Sequence, residues 1–372
     1  MDLRTVKNTK LRRELIEREL HFNLSAIGKA DFDDEKHIHC ENRIGAISIP
    51  LGVAGPMRVK GDYVDGSHYV PLATTEGALV ASVSRGLKAT HAQGIVTQVD
   101  REGATRGPVF ETKSIIEARK LERWLWDHTD ELAIEAAKTS THISLMNIDV
   151  RRAGLYVFVR FHFDTDKAMG MNMATICTSH LASYIVKHTN TTLLAVAGNF
   201  DIDKKPAWLN MIMRRGYVVH AETIISEEVV KTVLKSSPKN IYKTWKAKCM
   251  VGSALAGSIG FNAHHANIVA AFYAATGQDI AHVVDGSIGM TITDVLENGS
   301  LYVSVYLPDI MIGTVGGGTK LLSQTEARSI LQTDSPFAMA ELLGAAVLAG
   351  EVSLLASLAA GSLAKAHATL GR

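Results

Sequence analysis

The sequence is poor in cysteine, and its few cysteines are too scattered for a metal site or a disulfide framework. Its 372 residues include 3 cysteines, at Cys40, Cys177 and Cys249, and none stands at the C-x-x-C spacing of a zinc or redox site. An odd, sparse set of cysteines is typical of the reducing cytoplasm, where disulfides rarely persist. We therefore predict a cytoplasmic protein and expect no metal site.

An excess of charge of either sign is also missing. The chain has 39 Lys and Arg against 38 Asp and Glu, a formal net charge of +1, and the basic residues are dispersed. Because nucleic acids and anionic membranes bind clustered cations, we expect neither as a partner. Residues 1–20 are highly charged and do not have the apolar segment of a signal peptide.

No uninterrupted apolar run has the length of a transmembrane helix. The most apolar stretch, 337–364, is interrupted by Glu341 and by glycines and serines. We expect it to fold as a pair of buried or interfacial helices and not as a membrane span. Hydrophobic residues make up 47% of the chain, which is ordinary for a globular protein, and the length suffices for two or three domains.

Two glycine motifs of nucleotide-binding proteins are absent as well. No G-x-G-x-x-G follows a strand pattern, which excludes a standard Rossmann fingerprint. The segment Gly313–Thr319 is rich in glycine but does not have the Lys-Ser/Thr ending of a P-loop. Any nucleotide site must therefore use a different framework.

Residues 109–195 alternate between helix and strand patterns. Helix patterns are found at 114–137 and 171–187, with strand patterns at 143–150 and 155–163 between them. This alternation predicts a compact, inserted α/β sandwich. Gly170 stands at the start of the second helix, where free N–H groups could bind a phosphate or a carboxamide.

The chain also contains a charged loop directly after an apolar run. Residues 193–197 predict a buried strand, which Gly198 and Asn199 then end. The charged residues that follow are Asp201, Asp203, Lys204 and Lys205. Such a cluster is compatible with a solvated loop, and also with a loop that presents a partly desolvated ammonium group to a substrate oxyanion.

Three further polar residues stand beside helix patterns. Glu76 precedes a helix of small residues and is either a favourable N-terminal charge or a nearly buried carboxyl suited to acid chemistry. Asp279 follows a helix end, an unfavourable place for a carboxylate that either a solvated turn or a function would explain. His367 lies near the end of an apolar helix pattern and could simply be a frayed terminal residue. A tightly packed helix of small residues is predicted at Gly252–Gly260.

Taken together, these segments resemble 3-hydroxy-3-methylglutaryl-coenzyme A (HMG-CoA) reductase, and most of all the archaeal members of its sterol-type class. The similarity extends from about Glu41 to His367, with the segments in the family's order. The matching segments are ENRIG (41–45), PLGVAGP (50–56), ATTEGALVAS (73–82), TRGP (105–108), AMGMN (168–172), DKKP (203–206), GSALAGSIGFNAHHANI (252–268), TGQD (276–279), GTVGGGT (313–319) and KAH (365–367). Several are long and rare, so chance convergence does not account for them.

The resemblance implies an α+β fold in three parts. A small N-terminal helical domain (1–46) leads into a large α/β domain that binds substrate and coenzyme A (47–107 and 196–372). An inserted ferredoxin-like domain (108–195) interrupts the large domain and binds the nicotinamide cofactor. Active sites between subunits are also implied, in a homodimer or a dimer of dimers.

The implied reaction is the reduction of HMG-CoA to mevalonate and coenzyme A, a step of isoprenoid biosynthesis. It transfers four electrons as two hydrides from NADPH, with NADH as the alternative donor. The implied catalytic residues are Glu76, Lys204, Asp279 and His367. Lys204 would stabilise the oxyanion and Glu76 would donate a proton, while Asp279 would set their charge state. His367 would protonate the departing coenzyme A thiolate.

Two groups of binding residues carry over from the resemblance. The substrate group is Arg106, Asp203, Lys205, Lys248, His264 and Asn267. The cofactor group is Lys167, Ala168, Met169, Gly170, Met171, Asn172, Gly316 and Gly317. Lys167 replaces the family's usual aspartate, and Thr141 stands where an arginine reads the 2′-phosphate of NADPH. Because a neutral side chain cannot form that charge-assisted contact, the choice between NADPH and NADH stays open.

Two other functions stay open at this point. One is an NAD-preferring relative that works in the oxidative direction, which cofactor kinetics would identify. The other is a non-catalytic protein that binds coenzyme A thioesters, which would bind HMG-CoA without consuming hydride.

Overall fold

The computed structural model describes residues 40–361 and the isolated positions 8, 10, 11, 14 and 18. Most of the predicted N-terminal helical domain (1–46), as well as His367, lies outside the described residues. The strands are β1 Leu51–Lys60, β2 Asp65–Ala73, β3 Ile95–Arg106, β4 Val109–Glu111, β5 Ser144–Ala153, β6 Tyr156–Asp164, β7 Thr192–Ala195, β8 Arg215–Ile225, β9 Met290–Val295 and β10 Leu301–Ile310. Within the described residues, the α-helices of six residues or more are α1 Leu79–Thr90, α2 Ile115–Asp127, α3 Thr129–Ala137, α4 Met171–His188, α5 Trp208–Met213, α6 Glu227–Thr232, α7 Pro238–Trp245, α8 His265–Thr276, α9 Leu322–Ser329 and α10 Pro336–Ala359.

Helix α10 is the centre of the largest of three hydrophobic clusters among the described residues. By length and composition it is apolar enough to cross a membrane, since its most apolar stretch of 18 residues has a mean hydropathy of 1.9. However, 83% of that stretch is buried inside the chain. Strands β3, β8 and β10 pack against it, together with α1, α7 and α8. A helix that is apolar on all sides can be accommodated only where neighbours cover every side, as they do here.

The prediction of two helices in this region is wrong, because Pro336–Ala359 is a single helix. The glycines that interrupt the apolar pattern do not end the helix. A Cβ on Gly344 would lie 2.5 Å from the Val219 side chain, and one on Gly350 would lie 2.8 Å from Ile268. The glycines therefore allow close packing at these two points.

Two buried glutamates of α10 tie surface loops to the core. Glu341 accepts main-chain N–H bonds from residues 62–64 at 2.8–3.0 Å. Glu351 accepts those of residues 263–264 at 2.7–2.8 Å, and the hydroxyl of Thr291 at 2.5 Å. Burial raises the pKa of Glu341. Burial acts in the same direction on Glu351, but neighbouring histidines and hydrogen bonds outweigh it and leave its pKa below the ordinary value.

The second core lies under a four-stranded antiparallel sheet in the order β7-β4-β6-β5. The chain runs β4, α2 and α3, β5, β6, α4 and β7, which is the β-α-β-β-α-β order of a ferredoxin-like fold. Strand β3 joins this sheet to the larger one. Its first part pairs with β8, whereas its last residues, Ala104–Arg106, pair with β6. Arg106 therefore lies where the two sheets meet.

Three element predictions need correction. The helix predicted at 114–137 is two helices separated at His128, whose N–H bonds back to Trp124 and ends α2. The buried strand predicted at 193–197 is the half-exposed β7, Thr192–Ala195, because β7 forms an edge and pairs only with β4 among the described strands. The segment Gly252–Gly260 is not tightly packed within the chain, since its small residues are mostly exposed.

Helices α1 and α10 touch backbone to backbone, and this contact yields a stability prediction. A Cβ on Gly86 would overlap the main-chain carbonyl of Ala349, which cannot rotate away. In a helix with free space, Gly→Ala stabilises by about 1 kcal/mol. Here we expect Gly86→Ala to lower the free energy of unfolding by about 3 kcal/mol.

Urea denaturation measures this change. Lys88→Ala, at an exposed position of the same helix, is the control and should change the free energy of unfolding by less than about 0.5 kcal/mol. A Gly86→Ala variant as stable as the wild type would show that the two helices do not meet in this way.

Candidate active site

A cavity of about 640 Å³ opens where the two sheets meet. Four loops and the end of β3 line it. The lining residues are Arg106, Ala168, Met169, Gly170, Met171, Asn172, Met173, Asp203, Lys204, Gly277, Gln278, Asp279, Gly313, Val315, Gly316, Gly317, Gly318 and Thr319. The chain thus brings together the charged loop, the segment before α4, the turn after α8 and the glycine-rich segment, which are far apart in sequence.

An ion pair between Lys204 and Asp279 lies at the wall of this cavity. The distance between Lys204 Nζ and Asp279 Oδ2 is 2.6 Å, and both side chains are a little over one-third exposed. Burial alone would raise the pKa of Asp279, but the bonds from Lys204 and from the N–H of Ala281 lower it below the ordinary value. Asp279 is therefore a carboxylate at neutral pH.

The local conflict expected at Asp279 does not exist. Gly277 ends α8 in the left-handed conformation, with φ 73°, and the chain then turns away from that helix. Asp279 is the N-cap of a 3-10 turn, Ile280–His282, and accepts the N–H of Ala281 at 3.1 Å. A carboxylate at the start of a helical turn is favourable.

Arg106 and Asp203 form a second ion pair at the cavity. Arg106 donates to Asp203 Oδ2 at 3.3 Å and to Asp201 Oδ2 at 3.0 Å. Burial would raise the pKa of Asp203, but the charges of Arg215, His282 and Arg106 lower it. Burial raises the pKa of Asp201 in spite of Arg106.

Arg215 is a functional-site residue that the sequence analysis missed. It is fully buried and donates to Asp203 Oδ1 at 2.9 Å, to Asp285 Oδ2 at 2.8 Å and to Thr105 Oγ1 at 2.7 Å. Its guanidinium also lies 3.2 Å from Met171 Sδ, at the start of α4. Four separate segments therefore meet at one side chain. The available signal was a charged residue directly before the uncharged run Gly216–Val219 of β8.

Asp309 lies behind this arginine in β10, in an environment that favours the protonated carboxyl. It is fully buried, and Asn210 Nδ2 donates to its Oδ2 at 2.6 Å. Burial raises the pKa of Asp309 to about 7, with Asp285 acting in the same direction and Arg215 opposing it. This residue was also missed, because one acid in an apolar strand pattern does not reveal its partners.

The segments on the other side of the cavity are held together through main-chain groups. Gln278 accepts the N–H of Gly313 at 2.9 Å and donates to its carbonyl at 3.0 Å. The N–H of Thr314 donates to the carbonyl of Lys167 at 2.8 Å. Gly313 packs closely on the segment 167–169. A Cβ added to Gly313 would overlap the main chain of that segment.

This side of the cavity has the features of an anion site. Helix α4 begins at Met171 after Gly170, and no side chain of the described residues caps it. Its first N–H groups therefore remain available to a ligand. A Cβ on Gly316 or Gly317 would meet nothing within 4 Å, so open space lies beside both glycines.

Several predicted residues do not line the cavity within the described part of one chain. They are Glu76, Thr141, Lys167, Lys205, Lys248, His264 and Asn267. Within one chain Glu76 is exposed, whereas the functional interpretation expected a nearly buried carboxyl. Lys248 is exposed on a π-helical segment, Lys246–Gly252. Lys205 donates to the carbonyl of Asp203 at 3.1 Å. The N–H of His264 donates to Glu351 of the core helix.

Comparison with known proteins gives consistent matches along the chain. The model of the family described as hydroxymethylglutaryl-coenzyme A reductase matches residues 8–372. The 3-hydroxy-3-methylglutaryl-coenzyme A reductase of Methanothermobacter thermautotrophicus is 46% identical over 370 residues, covering 98% of this chain and 93% of the relative. The enzyme of the same name from Aeropyrum pernix is 45% identical over 375 residues, with 97% and 89% coverage.

A solved structure shares the fold at much lower identity. It is the class II 3-hydroxy-3-methylglutaryl-CoA reductase from Streptococcus pneumoniae bound to NADPH in open conformations, with a TM-score of 0.69 and 18% identity. The match covers 95% of this chain and 98% of that one. Because that enzyme is of class II, the match does not support the predicted sterol-type class.

The buried carboxyl of Asp309 yields a pH prediction. Its pKa in the folded protein, about 7, is above the ordinary value of 3.8. A raised folded pKa contributes stability that is present at low pH and is lost as pH rises through the folded value. An asparagine side chain does not titrate, so we expect Asp309→Asn to gain stability relative to wild type as pH rises from about 4 to about 7.

Chemical denaturation of both proteins at about pH 5 and about pH 8 measures the difference. The expected result is a free-energy difference between variant and wild type that favours the variant more at the higher pH. An equal difference at both values would mean that Asp309 does not take up a proton in this range.

Proposed function

Since the chain belongs to the hydroxymethylglutaryl-coenzyme A reductase family, we propose that it reduces HMG-CoA to mevalonate and coenzyme A with a reduced nicotinamide nucleotide. The observation that carries this proposal is the shared cavity, which is lined both by the Lys204–Asp279 pair and by the uncapped start of α4. A cation for a developing oxyanion and a site for an anionic nucleotide thus lie in one space.

Lys204 is the residue that stabilises the oxyanion formed at the thioester carbonyl. An ammonium group has three N–H donors, and Asp279 accepts only one of them at 2.6 Å. The others can bind a carbonyl oxygen as negative charge develops on it. Asp279, held ionised, keeps the ammonium oriented toward the cavity.

The nucleotide side is formed by the segments Lys167–Asn172 and Gly316–Gly317. When bound, the reduced nicotinamide nucleotide supplies hydride. The free N–H groups of α4 and the open space at the two glycines fit the phosphate and amide groups of such a molecule. The NADPH bound to the Streptococcus pneumoniae enzyme supports a nicotinamide nucleotide here, without deciding between NADPH and NADH.

The domain assignment and the remaining site residues belong to the same proposal. The ferredoxin-like unit (108–195) holds the nucleotide, and the larger unit (47–107 and 196–372) holds HMG-CoA. Arg106, Lys205 and Lys248 bind the substrate carboxylate, and Asp203 lies on the side of the substrate hydroxyl. His264 and Asn267 lie near the reacting carbonyl. His367 protonates the departing thiolate. Membership of the sterol-type class and a cytoplasmic location stay predictions from the sequence.

Glu76 reaches the reaction from a second copy of the chain. In one chain it is exposed, and its N–H bonds only to the hydroxyl of Thr74 among the described residues. A carboxyl that donates a proton must touch the substrate, so a cavity that lacks Glu76 requires a partner chain to supply it. We therefore propose a homodimer, or a dimer of dimers, with composite active sites.

Co-expression of two inactive variants tests this arrangement. We expect Glu76→Gln and Lys204→Ala each to abolish turnover. In each mixed dimer, one of the two sites combines an intact Lys204 from one chain with an intact Glu76 from the other. Because about half of the dimers are mixed, the mixture should recover about a quarter of wild-type activity. Consumption of NADPH in the presence of HMG-CoA measures it.

The matched control is co-expression of Lys204→Ala with Asp279→Asn. Both residues line the cavity of one chain, so every site in their mixed dimers is damaged and no activity should return. Equal recovery in both mixtures, or none in the first, would exclude a site shared in this way.

The cofactor choice is tested on the wild-type protein and on Thr141→Arg. Thr141 is exposed in the turn after α3. The resemblance to the family implies that an arginine at this position binds the 2′-phosphate. We expect Thr141→Arg to lower the KM for NADPH by about tenfold and to leave that for NADH unchanged, because a guanidinium forms charge-assisted bonds to phosphate.

Thr192→Arg adds the same charge at an exposed position of β7 and is the control. An equal change in the KM for NADPH and in that for NADH would show that position 141 does not contact the 2′-phosphate. HMG-CoA binding by folded wild-type protein without oxidation of either nucleotide would favour the non-catalytic alternative.

A further inference from the structure

The main chain of Lys204 is held in an unusual conformation. Its φ is +57°, in the left-handed region that residues other than glycine, asparagine and aspartate rarely adopt. Its N–H donates to Asp285 Oδ2 at 3.1 Å. The direction in which the Lys204 side chain leaves the loop therefore depends on a bond to a carboxylate that does not itself line the cavity.

Asp285 is fixed from three sides. Its Oδ2 also accepts from Arg215 Nη1 at 2.8 Å, and His282 Nδ1 lies 3.1 Å from the same oxygen. Asp285, Arg215 and His282 are all fully buried. A carboxylate with these partners cannot move without leaving a buried charge unpaired, so it is a rigid acceptor for the N–H of Lys204.

Asp285 also lies on the segment that carries the partner of Lys204. It belongs to a helical turn, Val283–Gly286, directly after the 3-10 turn that Asp279 caps. One carboxylate therefore fixes the distance between the two segments whose side chains form the 2.6 Å ion pair. Arg215 adds a second connection, because it holds Asp203, the residue before Lys204, at 2.9 Å.

We propose that Asp285 is a positioning residue of the reductase, which acts through the main chain of Lys204. It holds Lys204 in the left-handed conformation that directs the ammonium group into the cavity. This inference rests on the proposed role of Lys204. It goes beyond that role because Asp285 does not line the cavity in which substrate and nucleotide are proposed to bind.

The test is Asp285→Asn, which keeps the shape and one carbonyl oxygen but removes the charge. We expect kcat to fall by about tenfold or more, because small displacements of a catalytic group have effects of this size. The KM for HMG-CoA should change less than about threefold, since the ammonium acts on the transition state more than on the bound substrate. Rates are expressed per folded molecule.

Glu341→Gln is the matched control. Glu341 is an equally buried carboxylate that also accepts main-chain N–H bonds, but from the loop 62–64, outside the cavity. We expect it to lower the thermal midpoint while leaving kcat per folded molecule within about twofold. Equal losses of kcat in the two variants would reduce Asp285 to a general stabilising role and overturn the proposal.

Hydrogen–deuterium exchange gives a measurement that does not depend on activity. In the wild type, the amide of Lys204 should exchange more slowly than that of Lys205, whose N–H has no bond within the described residues. Asp285→Asn should accelerate exchange at Lys204, and Glu341→Gln should not. If the Asp285→Asn variant does not fold, the wild-type comparison still decides, because an unprotected Lys204 amide contradicts the proposal.

The two measurements separate the two hypotheses. A wild-type protein that does not oxidise nucleotide with HMG-CoA, but protects the Lys204 amide through Asp285, would overturn the proposed function and keep the positioning bond. If the wild-type protein is active and Asp285→Asn does not change its kcat, the proposed function is kept and the positioning role of Asp285 is overturned.

Discussion

The contact between buried Arg215 and the carboxylates of Asp203 and Asp285 is the interaction on which the candidate site depends. Removing such charges from water is costly, and the cost is offset only when the N–H groups find acceptors in good geometry. Arg215 meets this condition with bonds of 2.7–2.9 Å to three side chains. A well-packed apolar cluster could match this network in stability, but it could not fix the direction of a charged loop.

The fold brings this arginine to the cavity through strands that belong to the larger sheet. Arg215 begins β8, which pairs with β3, and β3 in turn crosses into the smaller sheet before it ends at Arg106. Helix α10 supports these strands from the core side. The position of the cavity between the two sheets therefore follows from a single strand shared by both, and the orientation of its charged groups follows from the network at the strand ends.

Much of the site could be predicted from sequence, because short segments carry their own geometry. The loop with Lys204, the turn with Asp279 and the glycine-rich segment 313–319 were predicted, and all line the cavity. Strands β5 and β6 and helix α4 were also predicted to within a few residues. In these cases periodicity, glycines and local charge are sufficient.

The rest could not be predicted, because it depends on contacts between distant parts of the chain. Arg215, Asp285 and Asp309 lie in three segments that are far apart in sequence, and only the folded chain shows that they meet. The expected unfavourable position of Asp279 at a helix end was also wrong, because Asp279 begins the next helical turn. That turn depends on the left-handed conformation of Gly277.

The charges of the cavity also limit where a proton can come from. Its two lining carboxyls within the described chain, Asp203 and Asp279, both have lowered pKa values and are ionised at neutral pH. Neither can donate a proton, so a carboxylic acid donor must come from outside this lining, which is the condition that Glu76 of a second chain would meet.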